Sequence, residues 1–359
     1  MANRRRTVTR NSMNKIDIPS LLWDYRPQVL IVLAALVLTI IVLLSIKGCA
    51  ASNPKEIEIA GLTISTDVET LDLSGMNLTD ISELRYCENL KVLNLGKRTV
   101  NEENEEINDS YNYITDISPL SSLLQLTQLN LGNNKITDIS ALKNLRNLTS
   151  LDLRENEISE ISALSALTKL AELHLSANSV TDLTKLSELT ELRILNLWSN
   201  GVTDLSPIAG LTSLQSLNIG NNGVEDKKLS DISPLASLKS LRILEMNSNN
   251  ISDISVVAEL PELDTLSFED NKVSDISAIK NLQNLTVLSF SNNTVGDISA
   301  LKNLKNLLEL YMDYNDIKSL SPISKLTGLT NLSFEGNTKI SEKQAKKEAE
   351  NRKDCDVWY

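Results

Sequence analysis

Apolar residues fall at fixed offsets along this chain. In the segment Leu126 to Asn147 (LTQLNLGNNKITDISALKNLRN) they stand at Leu126, Leu129, Leu131, Ile136, Ile139, Leu142 and Leu145. The step from Leu129 to Leu131 has period two, so these side chains face one way while Gln128, Asn130 and Gly132 face the other. The pattern predicts one short strand per copy. It recurs from twelve starting residues: Val68, Leu90, Leu126, Leu148, Leu170, Leu192, Leu214, Leu241, Leu263, Leu285, Leu307 and Leu329. Nine of the eleven intervals are 22 residues. The interval from Leu90 is longer by 14 and that from Leu214 by 5, and the period then resumes, so both read as loop insertions.

No copy can bury its leucines alone. Adjacent copies must lay their strands side by side in parallel, with the return path of each coil carrying the other apolar positions into the same core. Position 9 is Asn in eleven copies, from Asn112 to Asn337, and Met76 in the first. An amide carries donors and an acceptor, so a stacked Asn row satisfies backbone groups left unpaired where the strand turns away. Positions 13 to 16 read Asp-Ile-Ser-Pro or a close variant, as at Asp116 to Pro119, Asp204 to Pro207 and Asp231 to Pro234. Asp and Ser accept from free helix N–H groups and Pro tolerates a first helical position, which predicts a short helical turn there. The stretch left before the next strand is too short for a long helix, so 3₁₀ or single-turn segments are expected on the convex side.

The L-x-x-L-x-L-x-x-N-x-I-x-D-I-x-x-L-x-x-L phrase resembles the 22-residue class of leucine-rich repeat. The recurring T-D-I-S-P/A-L segment is similar to the bacterial internalin-like branch. The resemblance covers roughly four-fifths of the chain. It implies a strand-dominated α/β solenoid with a curved parallel β-sheet on the concave face and 3₁₀ or short helical turns on the convex face. It also implies binding of proteins or surface glycans through the concave face, although a fold does not choose its ligand.

The N-terminal region carries a separate signal. Val29 to Ile46 is 18 residues without a charge, long enough to cross a bilayer core as one transmembrane helix. Before it stand Arg4, Arg5, Arg6, Arg10, Lys15 and Arg26 against Asp17 and Asp24, and just after it Lys47 stands alone. This bias places the N-terminus in the cytoplasm and the repeats outside, with Trp23 and Tyr25 at interfacial depth. The expected layout is a basic cytoplasmic tail (1–28), a signal anchor (29–46), a linker and N-terminal cap (47–67), the repeats (68–340), and a C-terminal cap of helix and strand (341–359). A cleaved signal peptide, or lipidation of Cys49 in a lipobox-like Ile46-Lys47-Gly48-Cys49, also leaves the repeats outside; Lys47 departs from the uncharged residue of that motif. In the caps, Ile57, Ile59, Leu62 and Ile64 alternate as a small β unit, Ser341 starts the helix, and Trp358 reads as cap core.

Charge and composition narrow the partners. Taking the six basic and two acidic residues of 1–28 from the chain's 35 and 47 leaves 29 and 45, a net of −16. Such a surface disfavours nucleic acid and anionic lipid. Cys49, Cys87 and Cys355 are too scattered for a disulfide framework, and Cys87 falls on an apolar repeat position. The single histidine, His174, excludes zinc-protease spacing and a multi-His metal site. No phosphate-cradling glycine motif occurs in the repeats, where Gly132 and Gly220 occupy outward strand positions read as exposed. The Asn-rich and Asp-rich turns could hold Ca²⁺ weakly, and Asp at position 13 is better explained as a turn cap. No enzyme, cofactor or metal site is therefore expected.

What remains is the outward set at positions 3, 5, 7 and 8, mostly small or polar, as at Asn130, Ser176, Asn196, Asn218, Ser289 and Ser291. Arg154, Glu155, His174 and Trp198 are exceptions in three successive copies, and an exposed Trp beside Arg and His has the composition of an interface anchor. A second set, Glu245, Glu269, Asp270, Glu309, Tyr311, Asp313 and Tyr314, mixes acid with tyrosine and suits a basic protein segment or a stacked sugar. The insertion Gly96 to Asp109 adds Glu102, Glu103, Glu105, Glu106 and Asp109 at the rim. The leading expectation is an extracytoplasmic protein-binding module anchored in a bacterial membrane, its ligand a host or bacterial surface protein or a cell-wall glycan. Two alternatives stand beside it: a sensor with output through the basic tail, where Thr7 and Thr9 sit among arginines, and a phosphatase-type regulatory subunit, which requires cytoplasmic repeats.

Overall fold

The computed structural model describes residues 53–97, 110–224, 227–352 and 354–359; the tail 1–28, the apolar stretch 29–46, Cys49 and residues 98–109 of the insertion lie outside them. Among the described residues no helix is long and apolar enough to cross a membrane. A β-hairpin opens the described chain, β1 (Glu56–Ile59) and β2 (Leu62–Ser65). Ala60 and Gly61 sit at φ 52° and 76°, the two left-handed residues of a type I′ turn. Ile57, Ile59 and Ile64 are buried under the first repeat, whereas Leu62 is left 43% exposed.

Each copy then gives three residues of strand at positions 3 to 5. The first seven are β3 (Thr70–Asp72), β4 (Val92–Asn94), β5 (Gln128–Asn130), β6 (Ser150–Asp152), β7 (Glu172–His174), β8 (Ile194–Asn196) and β9 (Ser216–Asn218). The five-residue insertion forms a small antiparallel ribbon, β10 (Gly223–Val224) and β11 (Lys227–Lys228). A Cβ on Gly223, whose φ is 88°, would collide with the Lys227 carbonyl oxygen, so only glycine closes this ribbon. The series resumes with β12 (Ile243–Glu245), β13 (Thr265–Ser267), β14 (Val287–Ser289), β15 (Glu309–Tyr311), β16 (Asn331–Ser333) and β17 (Asp356–Trp358). Thirteen strands, β3 to β9 and β12 to β17, make one parallel sheet in sequence order. Leucine stacks on leucine across it, as in Leu129, Leu151 and Leu173.

Behind the sheet lies one continuous apolar core. Cys87 is fully buried in it, and desolvation raises its thiol pKa, so it behaves as a small inert hydrophobe. Position 6 changes from Leu to larger residues toward the C-terminus, where Phe268 and Phe290 stack at 5.8 Å.

The Asn row closes the open side of each coil. Asn200 is typical: its amide donates to the Leu175 carbonyl at 2.9 Å and the Leu197 carbonyl at 3.2 Å, and its oxygen accepts from the Val180 N–H at 2.9 Å. One side chain thereby ties its own coil to the one before. At the ribbon the pattern adapts, and Asn249 accepts instead from the Asn222 N–H at 2.8 Å. In every copy except that of Asn112 the chain leaves the sheet through a left-handed residue at position 8. Gly75 and Gly336 take it without strain; Glu155, Ala177, Ser199, Ser248, Asp270 and Tyr314 take it at φ 50–59°.

Short 3₁₀ segments such as Ser118–Ser122, Ser140–Asn144 and Ser206–Ile208 line the opposite side. Their start differs from the expected cap in one respect: where Asp holds position 13 it accepts alone, the serine or threonine that follows serving as donor, and Glu160 and Ser319 take its place in two copies. Asp116 takes the Ser118 N–H at 2.8 Å and Asp138 the Ser140 N–H at 2.7 Å, while both serine hydroxyls donate back to the same carboxylates.

At the far end α1 (Glu342–Glu350) begins at Ser341 in a capping box with Gln344. Arg352 anchors the exit, donating to the Ile323 and Leu326 carbonyls at 2.7 Å each and pairing with Glu348 at 2.7 Å. β17 then joins the sheet edge with Val357 beside Leu332. The reading of Trp358 as cap core is overturned here. Strand alternation turns Val357 toward the core and Trp358 out onto the concave side, 49% exposed, and Tyr359 stacks instead on Phe334 at 5.8 Å.

Candidate binding surface on the concave sheet

Two hydrogen-bonding schemes organise the outward residues. In the N-terminal half a position 5 Asx accepts the N–H two residues on: Asn130 from Gly132 at 2.9 Å, Asp152 from Arg154 at 3.0 Å, Asn196 from Trp198 at 3.0 Å. This fixes the turn out of each strand within its own copy. From β12 onward the acceptor shifts to position 7 and reaches the next copy. Asn247 takes the Glu269 N–H at 2.8 Å and the Ser267 hydroxyl at 2.7 Å; Asp313 takes the Glu335 N–H and the Ser333 hydroxyl, both at 2.6 Å.

The first candidate set sits in the first scheme. His174 lies in the sheet between Asp152 and Asn196. Burial, opposed by Asp152, lowers its pKa, so the neutral imidazole is favoured. Arg154 folds back onto Asp152, its Nη2 at 2.7 Å and Nε at 2.8 Å from one carboxylate oxygen, and this hydrogen bonding raises its pKa. Glu155 accepts from the Asn133 amide in the copy before, away from Trp198. Sequence proximity across three strands thus did not become one cluster.

The reason is a pair of glycines. A Cβ on Gly132 would lie 3.1 Å from Arg154 Cγ, and one on Gly220 would lie 2.9 Å from Trp198 Cδ1. Arg154 therefore leans toward the preceding copy and Trp198 toward the following one, leaving Ser176 between them. The expectation that Gly132 and Gly220 are exposed is corrected for the same reason, since both are buried beneath these side chains. Trp198 remains 44% exposed on its glycine seat.

The second set is drawn together more closely. The Tyr311 phenol donates to Glu309 at 2.8 Å, and burial followed by this bond raises its pKa. Tyr314, 54% exposed, lies against Gly336, where any Cβ would strike its ring, and its hydroxyl reaches Glu335 at 3.4 Å. Glu269 accepts from Ser289, Asp270 from Ser248 at 3.3 Å, and Glu245 from Asn218 at 2.6 Å. Ser289 under Glu269 and Ser291 beside Asp313, whose N–H it accepts at 3.0 Å, are 5% and 7% exposed and so are no part of the open surface expected of them.

Glu335, Ser333 and Trp358 belong beside this set and were missed from the sequence. The signal was available in the register: Tyr311, Ser333 and Trp358 are successive position 5 residues across β15, β16 and β17. Among the described residues no group of three or more His, Cys, Asp or Glu side chains is arranged to hold a metal ion.

Models of the leucine-rich repeat family match residues 125–180; those of its paired-repeat form match 105–144, 190–227 and 261–303, and a further repeat model matches 237–258. No curated protein sequence matches the chain. Among solved structures, the internalin inlF from Listeria monocytogenes is 37% identical with a TM-score of 0.73, the match covering 83% of each chain. A leucine-rich repeat protein from Leptospira interrogans is 28% identical with a TM-score of 0.67, covering 77% of this chain and 74% of that one. A plant peptide hormone receptor, RGFR1 in complex with RGF2, shares the fold at 19% identity and a TM-score of 0.62, covering 82% of this chain and 47% of the receptor. This chain belongs to the leucine-rich repeat proteins, with internalins among its structural neighbours.

Proposed function

We propose that this chain is a protein-binding module held at a bacterial cell membrane by residues 29–46, its N-terminal tail cytoplasmic and its repeats extracellular, with the partner bound on the concave sheet. The observation that carries the binding reading is the exposed Trp198, seated on Gly220 and flanked by small polar residues on a sheet face that no other element of the described chain covers. A rigidly backed, half-exposed Trp surrounded by small groups is the usual form of an interface anchor. Leucine-rich repeat proteins engage partner proteins, as the plant receptor in complex with RGF2 does. The membrane placement rests on the uncharged stretch and its basic N-terminal flank.

Two measurements test the two halves of the proposal. Protease added to intact cells should remove the repeats; repeats that stay protected refute the extracellular placement. A column bearing the wild-type protein should retain a partner from envelope or host-surface extracts that a Trp198→Ala, His174→Ala column does not. Equal retention by a variant of unchanged circular dichroism moves the site away from Trp198.

A further inference from the structure

The C-terminal third of the concave sheet carries charge that nothing in the described chain answers. Glu245, Glu269, Asp270, Glu309, Asp313 and Glu335 face it, and among the described residues none has an ion-pair partner. Carboxylates on other faces differ: Glu69, Glu157, Glu259 and Asp264 each meet a Lys or Arg. From Ile243 to Trp358 no Lys or Arg occupies position 3, 5, 7 or 8. The cations of this region have been kept off the sheet face, and Arg154, the one arginine on the face in the other half, is already neutralised by Asp152.

Rings stand among these acids. Tyr311 and Trp358 lie one strand to either side of Ser333, whose hydroxyl is drawn down onto Asp313. Two strand steps set the backbones of Tyr311 and Trp358 about 9.6 Å apart, a spacing at which a planar cation between the two side chains comes within reach of cation–π contact with both. Glu309 and Glu335 supply carboxylates at the same copies. Ile243, 38% exposed, and Val287 give the start of the strands an apolar edge against which alkyl stems can lie. From β12 to β17 the surface spans five strand steps, about 24 Å, the length of roughly seven extended residues.

Resting on the binding reading above, we propose that this third of the concave sheet docks an extended, arginine-rich segment of the partner protein laid across the strands, with one guanidinium between Tyr311 and Trp358 above Ser333. Arginine fits better than lysine. Its planar group stacks on rings while its fork meets carboxylates, whereas an ammonium has no plane to insert.

The test uses the full chain in micelles of an uncharged detergent and labelled alternating Arg-Ser, Lys-Ser and Glu-Ser peptides of about eight residues. By anisotropy the Arg-Ser peptide should bind at low salt, weaken at high salt, and outrank Lys-Ser, while Glu-Ser does not bind. The triple variant Glu269→Gln, Asp313→Asn, Glu335→Gln should weaken Arg-Ser binding roughly 30-fold. A control triple on other surfaces, Glu188→Gln, Glu191→Gln, Glu262→Gln, removes the same charge and should change it less than about twofold. Trp358→Ala should erase the preference for Arg over Lys. Equal losses in both triples, no preference for Arg, or a neutral oligosaccharide that binds in a Trp358-dependent way while the peptides do not, would each overturn the inference. If the peptides fail while the wild-type column still retains a partner through Trp198, the binding function stands and this inference falls; if both fail, the reading beneath it falls too.

Discussion

Replacing Asn200 by Ala removes three close hydrogen bonds at once and orphans one of the groups they served: the Leu175 and Leu197 carbonyls still accept from Asn178 and Asn222, whereas the Val180 N–H has no other acceptor among the described residues. The Val180 N–H loses its acceptor at 2.9 Å, and the Leu175 and Leu197 carbonyls lose donors at 2.9 and 3.2 Å. The site is 6% exposed, so water enters only if the coil opens. At about 1 kcal/mol net for each bond, rising toward 3 kcal/mol for a group orphaned in a dry site, the loss should be roughly 3–5 kcal/mol. Asn200→Asp should be worse at neutral pH, because it keeps the acceptor but aims a carboxylate at two carbonyl oxygens; acidification should recover part of the loss. The measurement is urea unfolding followed by far-ultraviolet circular dichroism. The same contacts recur at Asn293, which donates to Phe268 and Phe290 and accepts from Val273, so Asn293→Ala should match within about 1 kcal/mol. A loss below about 1 kcal/mol at both sites would refute the view that the row holds the coils together, and would show that solvent replaces the amide without cost.

Three further outcomes are expected. Gly220→Ala, which brings a methyl within 2.9 Å of Trp198 Cδ1, should shift Trp198 emission in a chain whose other tryptophans are Phe and weaken partner retention, with a stability cost near 1 kcal/mol; unchanged emission would contradict the glycine seat. Ala177→Gly should raise stability by about 0.5–1 kcal/mol in urea, since Ala177 holds φ 52° against its Cβ. Asp116, Asp182, Asp204, Asp231 and Asp275 are held below the ordinary carboxylate value of 3.8 by Ser or Thr hydrogen bonds. The stability they add is complete above that value and drains as pH falls through their lower folded values, so the melting temperature should begin to drop only below about pH 4; a drop already at pH 5 would point elsewhere.

The fold was legible because its determinants are local and repeated. Leu129 and Leu131 announce a strand by spacing alone, and Asn134 an amide bridge by chemistry alone, so neither needs knowledge of a distant neighbour. The surface was read less well because side chains there answer to the next coil. Nothing in the local sequence says that Arg154 turns toward Gly132 and Trp198 toward Gly220, although each glycine stands 22 residues from the side chain it seats. Trp358 was misplaced for a related reason. Its facing follows from the pairing of Asp356–Trp358 with Asn331–Ser333 across an intervening helix, which the spacing of the repeats does not reach. The five extra residues after Leu214 were read as a loop, whereas Gly223 lets them pair as a ribbon.

That ribbon has a consequence for how such a molecule diversifies. It lifts out after Asn222, and the chain rejoins the common path at the buried Leu229 without disturbing either neighbouring coil. The longer insertion enters the corresponding stretch of an earlier copy, between the strand and Asn112. Both additions interrupt the chain between the strand and the next buried apolar position, after it has left the sheet and before it returns to the core. Every copy owns that doorway. New recognition material can be hung at any of twelve evenly spaced stations along one lip of the trough, each at the cost of a glycine or two and none at the expense of the scaffold.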